Sequence, residues 1–352
     1  MSYWKIISAL LAIAALAVPA TAAAAPGGGS VVFSKTTKVG DEDKGGLYAV
    51  RDGRLNQLTE NPTDSEPAFS PDGRTIAFVR DGDIYSIRPD GSGERHLTSG
   101  PEIDSVPLIS PNGKYVVFER RSALGGPDSQ ADLYSVGAMG GGLKPLASGG
   151  NDDHDAAFAG DGKGIVFVRS TLGSGGSVND DLYSVRPSGG GLSRLTSTAK
   201  IDEFEPRYFA GGIIFSRGES SPGPAAYADI YTMKRDGSRV RSQVAGVGSA
   251  YVEDVSPDGH LVLFRRDQGL WGKRIGNYKA RRLSALPDGS QTSAVFSSDG
   301  KRVAAFVAIE NEQSLVSIAV ANGRQTRLAD AAHYGDEDGT TIGPVIDWQP
   351  IR

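Results

Sequence analysis

The chain has 352 residues, 39% of them hydrophobic, with a formal net charge of −5 and no cysteine. This length supplies one large all-β domain or two ordinary domains. The missing cysteines exclude disulfides, thiolate metal sites, cysteine catalysis and a cysteine-linked lipid anchor. A net acidic chain lacks the basic surface that phosphate neutralisation requires, which argues against a nucleic-acid partner.

The first element in chain order reads as an export signal over residues 1–25. Lys5 gives a positive start, Ile6 to Pro19 is apolar, and "ATAAAAP" offers small residues for cleavage between Ala22 and Ala25. The apolar run falls short of the roughly 20 residues that cross a bilayer, so no stable membrane insertion is expected after cleavage. The expected product is one domain over residues 26–352, monomeric and exported to the periplasm, cell envelope or medium.

From Phe69 the chain reads "FSPDGRTIAFVRDGDIYSIRPDGSGERHLT", with three Asp-Gly pairs between alternating apolar runs. Pro71 presets φ for a turn, Asp72 suits the next position and Gly73 takes the left-handed one. Strand-length runs separated by such pairs are β-hairpins. One unit is therefore four antiparallel strands: Pro67–Phe69, Thr75–Val79, Asp83–Ile87 and Arg95–Thr98. Its first hairpin recurs as "ISPNGKYVVFE", "FAGDGKGIVFV", "VSPDGHLVLF" and "FSSDGKRVAAF", and its third strand as "DLYSV" twice and "DIYTM". Tyr85, Tyr134, Tyr183 and Tyr231 stand about 48 residues apart, the period of a β-propeller blade. The tyrosines are expected to pack between blades.

"GGSVVFS" begins directly at a second strand, and "TIGPVIDWQP" near the end places Trp348 where the unit has Phe69. The C-terminal strand is thus expected to complete the first blade and close the ring, removing exposed sheet edges. Inner strands near Phe69, Ile109, Phe158, Tyr208, Val255, Phe296 and Trp348 predict an all-β propeller of seven four-stranded antiparallel blades. Six is the runner-up, because the Tyr208 unit and the last copies are degenerate.

The unit "EPAFSPDGRTIAFVRDGDIYSIRPDGSGERHLT" and the closing "DWQP" resemble the repeat of TolB-type β-propellers. They are also similar to the propellers of prolyl-oligopeptidase-like and tricorn-type peptidases. The resemblance runs over nearly all of the chain after the signal. It implies the fold far more specifically than a function. Pro26–Ser30 leads straight into the first strand, so the N-terminal α/β domain of TolB is not expected, nor the hydrolase domain of the peptidases.

No Gly-x-Ser-x-Gly elbow occurs. His96, His154, His260 and His333 are scattered, with none in a metal-pair spacing. Ser70-Pro71-Asp72-Gly73 is one residue too short for a sialidase Ser-x-Asp-x-Gly box. No catalytic residue is assigned. The candidate binding residues are the acids just before four consecutive inner strands: Asp64 and Glu66, Asp104, Asp153 and Asp155, then Asp202, Glu203 and Glu205. In a propeller these positions rim the central channel. Gathered carboxylates favour a cation, an amine or a basic peptide. Alternatively, each acid caps a turn in its own blade, which leaves the second acids Glu66, Asp155 and Glu205 unexplained. No cofactor is assigned, with calcium as the metal that such oxygen ligands would take. "GDEDKGG" from Gly40 and "GDEDGTT" from Gly335 read as solvated acidic loops. Insertions in three adjacent blades ("RSALGGPDSQA", "STLGSGGSVN", "RGESSPGPAAYA") offer a loop face. The expected role is non-catalytic binding of a protein or peptide. The alternatives are a glycan- or peptide-acting hydrolase using channel carboxylates, and a metal or small-molecule module.

Overall fold

The computed structural model describes residues 29–349 except 126–129, 173–177, 220–226, 247, 268, 278, 286–290, 310–311 and 331–340. The signal segment, His333, most of the "GDEDGTT" loop and parts of the three insertions lie outside the described residues. Alternating apolar runs between Asp-Gly or Gly-rich turns form seven four-stranded antiparallel sheets. Blade 1 is β28 (Thr341–Trp348), β1 (Val31–Val39), β2 (Glu42–Arg51) and β3 (Arg54–Gln57). Blade 2 is β4 (Ser65–Phe69), β5 (Ile76–Arg80), β6 (Asp83–Ile87) and β7 (Arg95–His96). Blade 3 is β8 (Ile103–Ile109), β9 (Tyr115–Arg121), β10 (Ala131–Gly137) and β11 (Lys144–Ala147). Blade 4 is β12 (Asp152–Phe158), β13 (Ile165–Leu172), β14 (Val178–Val185) and β15 (Ser193–Arg194). Blade 5 is β16 (Ile201–Phe209), β17 (Gly212–Glu219), β18 (Ala228–Met233) and β19 (Arg241–Val244). Blade 6 is β20 (Ala250–Val255), β21 (Leu261–Arg266), β22 (Gly269–Arg274) and β23 (Ala280–Ala285). Blade 7 is β24 (Gln291–Phe296), β25 (Arg302–Ile309), β26 (Glu312–Ala319) and β27 (Gln325–Asp330).

Seven blades, not six, is the observed count. The degenerate Tyr208 unit still pairs β16 with β17, from Ile201 opposite Glu219 to Phe209 opposite Gly212. The ring closes as expected: β28 runs antiparallel to β1, with Trp348 opposite Val31 and Ile346 opposite Phe33.

The turns carry the predicted chemistry. Ser70 Oγ accepts the amides of Arg74 and Thr75, and Asp72 Oδ1 accepts that of Arg74. Asp81 and Gly82 both have positive φ, the signature of a type I′ hairpin. Apolar cores lie at the seams between neighbouring blades. Val32, Leu47, Phe69, Ile76 and Phe78 fill the seam of blades 1 and 2, and equivalent clusters fill the other six. Burial of these faces drives blade-on-blade packing.

Candidate functional site

Seven of the eight sequence candidates fall into two sets with different surroundings, and Asp202 stands apart from both. Asp64, Asp104, Asp153 and Glu203 are at most 2% exposed. Each faces an arginine on the second strand of its own blade. Arg80 binds Asp64 through Nε at 2.5 Å and a terminal nitrogen at 2.9 Å. Arg120 holds Asp104 at 2.7 and 2.8 Å, and Arg169 holds Asp153 at 2.6 Å twice. Glu203, one methylene longer, lies 3.0 Å from Arg217 and accepts the hydroxyls of Thr196 and Thr198. The first three are bidentate guanidinium–carboxylate pairs, the strong, oriented class of hydrogen bond; Glu203 and Arg217 form an ion pair only.

The recurring tyrosines belong to the same device. The guanidinium carbons of Arg80, Arg120, Arg169 and Arg217 sit 4.8, 5.1, 5.1 and 4.9 Å from the ring centres of Tyr85, Tyr134, Tyr183 and Tyr231. Each arginine also covers the phenylalanine two residues before it. The tyrosines thus pack under their own blade's arginine, a cation–π arrangement, and not only against the next blade. Blade 6 varies the pattern: Ala250 stands opposite Arg266, which covers Trp271 and pairs with Asp267 at 3.2 Å. Sequence reasoning missed these arginines. The available signal was the recurrence of Phe-x-Arg in "FVR", "FER", "FVR" and "FSR".

Glu66, Asp155 and Glu205 behave differently. With Val106 they occupy β-bulges of the inner strands, with φ between 50° and 53°. The bulge turns each side chain toward the channel. There Glu66, Asp155 and Glu205, with Glu253 and Asp347, line a cavity of about 410 Å³. Arg207 and Arg265 are the cations in the same lining; prolines, alanines and valines supply much of the rest. Asp202 lies aside from this cavity, where its Oδ1 accepts the Asp180 amide of the preceding blade at 3.0 Å.

The channel acids also tie the blades together. Glu66 accepts the amide of Val106 at 2.6 Å, Glu119 that of Asp155 at 3.2 Å, and Glu253 that of Ala294 at 3.2 Å. Asp254 accepts the amide of Phe296 at 2.8 Å, and Asp347 that of Phe69 at 2.6 Å. In every case the carboxylate belongs to one blade and the amide to the next. This accounts for Glu66, and for Asp155, which accepts the Glu205 amide; Glu205 acts one step removed, accepting the hydroxyl of Ser216, which itself accepts the Val252 amide of the next blade.

Burial, more than crowding, raises the affinity of these carboxylates for protons. Burial, with the charge of Glu253 beside it, pushes Glu205 up to about 7. Burial also pushes Glu119 and Asp347 up to about 7 and Asp254 to about 6. Asp155 is the exception. Burial acts to raise it, but the His154 imidazole, Arg207 and the Glu205 amide outweigh burial and hold it below the usual range. Its side chain keeps 43% of its surface accessible, because the channel that encloses it is open to water. Among the described residues no group of three or more His, Asp or Glu side chains converges in a geometry that could hold a metal ion.

No family model matches the chain. Among curated proteins, a TolB homologue of Chlorobium luteolum is 32% identical over 75 residues, 20% of this chain and 17% of its own. The Tol-Pal system protein TolB of Gluconobacter oxydans is 43% identical over 63 residues, 17% of this chain and 14% of its own. The matches thus span less than a fifth of these relatives. Solved structures align over far more. TolB from Acinetobacter baumannii gives a TM-score of 0.57 at 16% identity, over 92% of this chain and 83% of that one. An oligogalacturonate lyase bound to manganese gives 0.63 at 12%, over 83% and 93%. A puromycin hydrolase gives 0.66 at 14%, over 88% of this chain but 53% of that one. At these identities the alignments establish the fold. With the repeat, the blade count and the ring closure, they make the chain a seven-bladed β-propeller whose repeat is similar to that of TolB.

Proposed function

We propose that this protein is an exported, non-catalytic propeller that binds a cationic segment of a protein or peptide at its channel mouth. The observation that carries the reading is the 410 Å³ cavity with five carboxylates and two arginines in its lining. A concave site of one dominant sign focuses its field on an oppositely charged ligand. The likeness to TolB, a protein named for the Tol-Pal system, agrees with an envelope location, as does the apolar segment ahead of the propeller. No helix among the described residues is long and apolar enough to cross a membrane.

The test is calorimetric titration with a lysine-rich peptide and a glutamate-rich control, using wild type and a Glu66→Gln/Asp155→Asn/Glu205→Gln variant. The amides remove charge but leave a carbonyl to accept the inter-blade N–H. The lysine peptide should bind wild type in a salt-sensitive way and the variant at least tenfold more weakly. Equal binding to both overturns the reading.

One observation favours a second reading. Arg265 touches both Glu253 and Glu205, bringing two carboxyls together in the cavity while Glu205 is pushed to about 7. Two neighbouring carboxyls are the equipment used to cleave glycosidic bonds, and burial raises Glu253 as well. Turnover of oligogalacturonate or another glycan by wild type, lost in Glu205→Gln, would replace the binding role with catalysis.

A further inference from the structure

His154 sits at a junction of three blades. Its Nε2 lies 3.2 Å from Ser170 Oγ, and Ser170 donates to Asp180 Oδ1 at 2.5 Å. Its Nδ1 lies 3.7 Å from Asp155 Oδ2. Asp155 is held on both sides. Its amide donates to Glu119 of blade 3, and its carboxylate accepts the Glu205 amide of blade 5. Arg121 pairs with Glu119 at 3.2 Å and reaches Asp152 at 3.7 Å. The titratable and charged groups facing this junction are therefore Glu119 and Arg121 from β9, Asp152 and Asp155 from β12, and Asp180 from β14. Glu205, Asp202 and Arg207 face it from β16.

We propose that His154 and Asp155 form a pH-sensitive latch joining blades 3, 4 and 5 at the channel mouth, closed while His154 is doubly protonated. In that state both ring nitrogens are donors. Nε2–H bonds to Ser170 Oγ, which passes its own proton toward Asp180, and Nδ1–H faces the Asp155 carboxylate. Asp155 then stays ionised and keeps its hold on the Glu205 amide. Loss of the Nδ1 proton to channel water turns a lone pair toward the Asp155 carboxylate, so attraction becomes repulsion and the latch loosens. Burial works against the imidazolium, but Asp155, Glu119 and Asp152 outweigh it and raise the imidazole above its ordinary value. The sign follows: a raised folded-state value means that the stabilisation is complete at mildly acidic pH and is lost as pH climbs through it. Because Asp155 lines the cavity, release also adds unopposed negative charge there. This last consequence rests on the channel-binding reading; the latch itself does not.

The experiment is an NMR titration of the whole chain from about pH 5 to pH 9, the range in which histidine switches. It follows the His154 ring nitrogens and the backbone amides of Asp155 and Glu205. Expected are a His154 midpoint above the free-imidazole value of 6.5 and a shift of both amides with that same midpoint. Ser170→Ala should lower the midpoint by cutting the relay to Asp180, and His154→Gln should abolish the amide titration. A wild-type midpoint at or below 6.5, or amides that ignore it, overturns the proposal even if neither variant folds. Intact midpoints with no binding of the lysine-rich peptide would strike the channel reading alone.

Discussion

Asp153 and Arg169 show why four of the channel-side acids are poor candidates for ligand contact. Both side chains are buried, at 0% and 7% exposure, and each satisfies the other at 2.6 Å. Removing one partner strands a desolvated charge. Asp153→Ala is therefore expected to lower the unfolding free energy by about 3–5 kcal/mol, measured by urea denaturation. The channel-lining Glu66→Gln keeps its acceptor and should cost less than about 1 kcal/mol. The sequence showed the acids recurring before each inner strand, but it did not show where they point. Adjacent residues on a strand face opposite ways, so Glu203 looks at Arg217 while Asp202 looks at the preceding blade. The distinction between the buried set and the channel set hinged on a bulge. Left-handed bulge positions usually announce themselves with glycine; here they hold Glu66, Val106, Asp155 and Glu205.

At the level of the strand, blade 6 departs from its siblings at one core position. In β6, β10, β14 and β18 the residue two after the aromatic is Ile87, Val136, Val185 and Met233, each buried. In β22 it is Lys273, 4% exposed, whose ammonium reaches the Gln243 carbonyl and has no carboxylate partner among the described residues. Burial accordingly lowers its proton affinity. Lys273→Met restores the pattern of blade 5 and removes a desolvated cation. It should raise stability by about 1–2 kcal/mol, read as a higher melting temperature; a lower one would mean that the Gln243 contact outweighs the burial cost. Strands themselves were legible because Asp-Gly and Pro-Asp-Gly pairs fix both their ends. Lys273 was not, since "GLWGK" gives no hint of which neighbour its side chain enters.

For the molecule as a whole, the inward-facing acids set a pH response. Glu119, Glu205, Asp254 and Asp347 hold protons to about pH 6–7 in the folded ring, well above their ordinary 3.8 or 4.5. The folded state therefore binds more protons than the unfolded chain across that window. As far as these groups go, stability should be greatest below about pH 4 and should fall from there until about pH 7. The turn aspartates Asp90 and Asp236, held low by Ser92 and Ser238, lose their contribution only in stronger acid. Calorimetric melting at pH 5.5 and pH 8 should show a drop of several degrees at the higher pH; no drop would mean that the inter-blade amide bonds outweigh burial. Blade number and ring closure were readable in advance because each blade repeats one hydrophobic and turn pattern, and because Trp348 supplies the inner-strand aromatic that the first unit lacks. The strand that closes the ring has a mechanical side. Val31 and Trp348 stand directly opposite each other, at the same end of the β1–β28 ladder. A pull applied at those two residues would load one hydrogen-bonded pair at a time and peel the seam like a zipper, whereas a pull along the strands would load every pair together. The seam that closes the ring thus yields more readily to a pull across its end than to one along its strands.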